Sequence, residues 1–87
     1  MSLVLLDFYA DWCGPCQMMK PVVEEFKDTH PEVKVMPINI DVEDGLAEKY
    51  GVSTIPCLVL LKDEQEMVRE IGAMSLKKLE KMLEKAK

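Results

Sequence analysis

At 87 residues, with 48% hydrophobic and 31% charged side chains, the chain has the composition of one small globular domain with a single core and little to spare. Its formal net charge of −5 excludes the basic face that phosphate-backbone binding needs, so no nucleic-acid partner is expected. The most apolar stretch, Leu3 to Tyr9, is too short to span a membrane, contains Asp7 and has no basic leader. Three unevenly placed cysteines do not make a stapled secreted scaffold, which makes a reducing cytoplasm the expected setting.

Leu3 to Tyr9 reads as a central strand covered on both faces. A helix is expected from Cys13 or Gly14, with Pro15 in its first turn and Met19, Val22, Val23 and Phe26 on its core face. Pro21 should kink it, and it should end before Pro31. Val33 to Ile40 is a second strand, confined to a sheet edge by Pro37. Asp41 to Asp44 supplies N-cap candidates for a short helix over Leu46 to Tyr50, closed by Gly51. Ile55-Pro56 then leads into a two-sided strand from Cys57 to Leu61. A turn at Asp63-Glu64-Gln65 joins that strand to a hairpin partner over Met67 to Ile71. Ser75 caps a last helix that turns Leu76, Leu79, Met82 and Leu83 inward. The order β-α-β-α-β-β-α defines an α/β fold. It predicts a four-stranded mixed sheet ordered 2-1-3-4 with three flanking helices, in one domain over residues 1–87.

Chemistry concentrates at Trp12-Cys13-Gly14-Pro15-Cys16, where the first strand hands over to the helix. Two thiols at this spacing can close into a disulfide and reopen, a two-electron switch. Cys13 sits at the helix start, where unpaired N–H groups and the macrodipole favour an anion, so it is assigned as the attacking thiol. Cys16, a turn further in, is the resolving thiol. Asp7 is a carboxylate inside a central strand; burial should raise its pKa and fit it to accept the proton of Cys16, and the plainer alternative is an edge-facing or partly solvated acid with no role. The alternative use of a Cys-x-x-Cys pair, half of a zinc site, lacks partners: only Cys57 and His30 remain, and no metal is expected. His30, beside Pro31, reads as an exposed loop residue. Cys57 reads as a small buried core residue or, more sharply, as a regulatory thiol near the active pair.

Beyond the two cysteines, Leu6 to Cys16 with Met18, Met19 and Pro21 resembles the signature of the thioredoxin family. Asn39-Ile40-Asp41, Tyr50-Gly51-Val52, Ile55-Pro56 and Ile71-Gly72-Ala73 resemble its later landmarks in order. The resemblance implies a thioredoxin-like fold and reduction of protein disulfides by dithiol exchange. It also implies a cis Pro56 beside the cysteines, Asp7 as the buried acid assisting Cys16, and no bound cofactor other than the Cys13–Cys16 disulfide. Trp12, Gly14, Pro15, Ile55, Pro56, Gly72 and Ala73 would form the apolar patch that docks disulfide-containing protein substrates, with main-chain pairing at Ile55. A thioredoxin reductase or a small thiol would recharge the pair, and a monomer is expected.

Three departures from the family pattern stand out. The family's usual leading strand and helix are not matched. Pro37 stands where a lysine commonly neighbours the buried acid. Cys57 stands where a threonine commonly follows the proline. The alternatives are a glutaredoxin-like, glutathione-coupled enzyme, an oxidase or isomerase of exported proteins, against which the lack of a signal-peptide pattern counts, and, in another class, a non-catalytic binding module of the same fold. Gly14-Pro15 and Gly72-Ala73 favour the thioredoxin-like reading. No Gly-x-Gly-x-x-Gly or P-loop pattern occurs, so no nucleotide, flavin or nicotinamide is expected to bind.

Overall fold

The structure, a computed structural model, describes residues 2–87; Met1 lies outside the described residues. Its elements follow the expected order: β1 (Leu3–Tyr9), α1 (Gly14–Thr29), β2 (Val33–Asn39), α2 (Asp44–Lys49), β3 (Cys57–Lys62), β4 (Gln65–Ile71) and α3 (Leu76–Ala86). The strands form one sheet in the order β2-β1-β3-β4. β1 pairs with β2 in parallel and with β3 antiparallel, and β3 pairs antiparallel with β4. The sheet matches the 2-1-3-4 expectation because β1 and β3 carry the two continuous apolar runs and take the two central places.

Alternation along the central strands sends side chains to two separate cores. Leu3, Leu5, Leu58 and Leu60 pack with Met19, Val23 and Phe26 of α1 and with Leu79, Met82 and Leu83 of α3. Leu6, Phe8, Val59, Leu61 and Ile38 face the other way, against Ala47 of α2, with Tyr50, Val52 and Ile55 closing the margin. α1 runs on as one helix past Pro21. α3 is capped as expected, with the Ser75 hydroxyl accepting from the Lys78 N–H at 3.2 Å.

Three local readings need correction. α2 starts at Asp44, earlier than expected, and its N-cap residue Glu43 makes no side-chain capping bond. His30 is half-buried rather than an exposed loop residue: its ring packs on Phe26 with centroids 4.7 Å apart, and Nε2 lies 2.9 Å from the Glu80 carboxylate of α3. Sequence proximity to Pro31 hid this, because the partner is fifty positions away. Finally, β4 begins at Gln65, so the hairpin loop is only Asp63-Glu64, both with positive φ (51° and 71°).

That two-residue loop has the backbone hand of a type I′ turn, which suits the twist of the flanking strands. Asp63 is held there by Ser2, which donates its N–H to Asp63 Oδ1 and accepts the Asp63 N–H, both at 2.8 Å. Glu64 makes no comparable use of its side chain. A left-handed residue costs roughly 1–2 kcal/mol, against which glycine loses roughly 0.5–1 kcal/mol of chain entropy on folding. Glu64→Gly is therefore expected to stabilise the protein by about 0.5 kcal/mol. Urea unfolding checks this: the midpoint should rise with the slope unchanged.

Candidate active site at the start of α1

β1 ends at Tyr9, and the chain turns through Ala10-Asp11-Trp12 into α1; the Cys13 N–H donates to the Ala10 carbonyl at 3.2 Å. Cys13 is the N-cap residue, with extended backbone, and its Sγ accepts the Cys16 N–H at 3.2 Å. A sulfur thus occupies the place where a hydroxyl or carboxylate oxygen usually caps a helix. Pro15 lies in the first turn and no acidic residue does, so nothing in that turn opposes negative charge on Cys13. Cys13 and Cys16 are joined as a disulfide, with Cα atoms 5.2 Å apart. Both are buried together with Ala10, and Tyr9, Ile40 and Ile55 pack around them.

The other predicted site residues fall into two groups. Ile55 touches the cysteine cluster directly, the Ile55–Pro56 bond is cis, and the buried Pro56 presents its carbonyl to the Gly72 N–H at 2.8 Å. Gly72 holds φ at 103°, a value that L side chains rarely adopt, so this crossing of chains needs glycine. Trp12 is 69% exposed but not loose: its indole N–H donates to the Asp41 carboxylate at 2.8 Å. Asp41 is in turn oriented by its own N–H donating to Asn39 Oδ1 at 2.9 Å. Gly14 and Pro15, next to Trp12 in the chain, and Ala73, next to Gly72, are exposed, as are the apolar side chains of Met18 and Ile71.

Sequence reasoning missed two contributors. Asp41 reads from the sequence as a landmark and an N-cap candidate; an acid shortly after a strand gives no sign of which indole it will meet. Ile71 was placed at the end of a strand, but not as an exposed apolar side chain.

Asp7 is buried, and its Oδ1 has no hydrogen-bond partner. Loss of hydration alone raises its carboxyl from 3.8 to about 6. It shares with Cys16 a cavity of about 370 Å³, lined also by Tyr9, Lys20, Val35 and Pro37. The β1–β2 register sets Pro37 directly opposite Asp7, so the sheet neighbour supplies neither a charge nor an N–H donor.

Cys57 is buried, as the first of its two readings expects. It sits opposite Phe8 in the ladder and packs in the cluster on the α2 face of the sheet, a different cluster from the one that holds Cys13 and Cys16, although Ile40 and Ile55 border both. Burial pushes its thiol up, with Arg69 opposing and Glu66 adding to the rise. It is a core residue, not a partner of the active pair.

Closing and reopening one S–S bond at a helix start moves two electrons, and proteins organised around that act are thiol–disulfide oxidoreductases. The family model described as Thioredoxin matches residues 1–85. A thioredoxin of Chlamydia muridarum is 43% identical over 84 residues, which cover 97% of this chain and 82% of that protein. Thioredoxin-1 of Saccharomyces cerevisiae is 39% identical over 72 residues, 83% of this chain and 70% of its own. Among solved structures, a mutant thioredoxin from Halobacterium salinarum superposes with a TM-score of 0.90 at 41% identity, covering 95% of this chain and 73% of that one. The chain belongs to the thioredoxin family. It is a protein-disulfide reductase that works through its own redox-active disulfide without a bound cofactor, and the family implies disulfide-bearing protein substrates and a reductase partner. Among the described residues, no helix is long and apolar enough to cross a membrane.

The buried acid has a measurable consequence for stability. The folded-state value of Asp7 lies above the unfolded one, so folding favours the protonated form. Its contribution is full below about pH 4 and is lost as pH rises through about 6. At about 1.4 kcal/mol per pH unit, charged Asp7 costs up to about 3 kcal/mol above that range. Asp7→Asn should therefore be more stable than the parent by up to about 3 kcal/mol at pH 7.5 and nearly equal to it at pH 4. Urea unfolding at the two pH values checks this.

Proposed function

We propose that the chain acts as a one-domain, monomeric dithiol reductant of the cytoplasm, with Cys13 attacking, Cys16 resolving and Asp7 accepting the resolving proton. The observation that carries this reading is the placement of Cys13 as the N-cap of α1, with Cys16 a turn behind it on the cavity that holds Asp7. In the reduced protein the Cys13 thiolate attacks one sulfur of a substrate disulfide. A Cys13–substrate S–S bond forms, the substrate S–S bond breaks, and the other substrate sulfur leaves as a thiolate that takes a proton from solvent. Cys16 then gives its proton to Asp7, through water in the cavity, and its thiolate attacks Cys13 Sγ. The Cys13–Cys16 bond closes, the second substrate sulfur departs as a thiolate, and it takes a proton from solvent as Asp7 returns its own to solvent. The substrate has gained two electrons and two protons, and the protein has been oxidised. A two-electron donor, expected to be a thioredoxin reductase, then reopens the disulfide.

Substrate docking is assigned to the surface around Trp12, Gly14, Pro15, Ile55, Pro56, Gly72 and Ala73. An extended segment there can pair with the main chain at Ile55 while its apolar side chains cover Trp12. The Asp41 bond to the Trp12 indole supports this reading, because it holds a large exposed ring beside the cysteines at little entropic cost on docking.

Two experiments test these roles. With Cys57→Ser as background, Cys16→Ser should accumulate a substrate mixed disulfide on Cys13 by mass spectrometry, and Cys13→Ser should not; trapping on Cys16 instead would reverse the assignment. In insulin reduction driven by dithiothreitol, Asp7→Asn should lower turnover on the order of tenfold or more at pH 7, in line with loss of a general base. Unchanged turnover across the pH range would remove the base role. Reduction of the oxidised protein by glutathione alone, as fast as by a reductase, would move it to the glutaredoxin-like class.

A further inference from the structure

The cavity beside Asp7 is built from unlike materials, and the mixture carries an inference beyond the roles above. From β1 come Asp7 and Tyr9; from β2, the edge strand, only Val35 and Pro37. The residue opposite Asp7 on β3 is Leu58. Every other ionisable group on the cavity comes from one face of α1: Cys16, Lys20, Glu24 and Lys27. Among the described residues, a buried carboxylate oxygen without a partner therefore borders a solvent-connected space with two cations at its wall, both on long flexible stems.

The two lysines are not equivalent. Lys20 is four residues after Cys16, so it projects from the same face one turn on. Lys27 is seven residues further, about 10 Å along the axis, toward the far end of the helix. Glu24 stands between them, four after Lys20 and three before Lys27, and can pair with either. Lys20 is exposed, and no ion pair within 4.0 Å engages it elsewhere among the described residues.

We propose that Lys20 is a positioning residue for the resolving step: its ammonium swings into the cavity to pair with the Asp7 carboxylate whenever that group is ionised. The lysine stays protonated throughout. It holds Asp7 charged and aimed at Cys16 until the Cys16 proton arrives, and the neutral acid then releases it to solvent. The pairing gives the carboxylate the partner that the proline-bearing edge strand cannot supply. For its use in catalysis the inference rests on Asp7 being the proton acceptor; the pairing itself does not.

The test is a carbon-13 NMR titration of the Asp7 carboxyl in the oxidised protein. With the disulfide closed, no active-site thiol titrates and no turnover is involved, so this experiment fails separately from the base role. Lys20→Met should raise the Asp7 midpoint by about one pH unit, the low end of what an opposite charge at about 4–6 Å does. Lys20→Arg should keep the parental midpoint, and Lys27→Met should move it by less than half as much. Added salt should raise the parental midpoint and leave that of Lys20→Met nearly unmoved. A Lys20→Met midpoint equal to the parent's, or a Lys27→Met shift as large as that of Lys20→Met, overturns the proposal. All these side chains are exposed, so the variants are expected to fold.

Discussion

Burial of β1 and β3 on both faces is the constraint from which the rest of the structure follows. Neither strand can be left at an edge, because each carries apolar side chains up and down. Helices must therefore cover both faces, α1 and α3 on one and α2 on the other. The parallel crossover from β1 to β2 through α1 satisfies this with a helix that starts at the end of a central strand. That junction puts Cys13 at once on a helix N-terminus, at the edge of the core and in contact with the loop before β3. The redox pair is thus a product of the same packing that makes the sheet.

The one violation of the apolar rule in β1 is Asp7, and it faces the side where α1 begins. A buried, unpartnered carboxylate destabilises the fold at neutral pH, and no contact of the sheet compensates for it. Such a cost at the rear of the disulfide makes physical sense if the group has a proton to take there. Asp7 and Cys16 meet at the cavity because one residue alternation along β1 and one turn of α1 bring them to the same space.

The edge strand shapes that space. Pro37 keeps β2 at the margin of the sheet, and its ring leaves the wall opposite Asp7 without charge. Among the described residues, the cations at the cavity come from α1. At the front, a different set of long-range contacts is at work: the cis Ile55–Pro56 segment is tied to Gly72, and Trp12 to Asp41. Rear and front thus draw on different long-range contacts, α1 against β1 and β2 at the cavity, and the loops that follow β2, precede β3 and follow β4 against the β1–α1 turn at the front.

Much of this was legible in the chain itself. Uninterrupted apolar runs at Leu3 to Tyr9 and Cys57 to Leu61, helical spacing after Cys16, and Pro37 in the second strand determined the elements, the strand order and the edge. Those signals are local, set by side-chain period and by the missing proline N–H. The spacing of Cys13 and Cys16 at a strand–helix junction determined the chemistry for the same reason. Tertiary structure alone decided which face each side chain meets across long sequence distances. His30 found Glu80, Trp12 found Asp41, Cys57 joined the core on the α2 face, and Lys20 came to share a cavity with Asp7. None of these carries a local signature, because a polar or sulfur side chain acquires its partner only when the sheet brings distant segments into register.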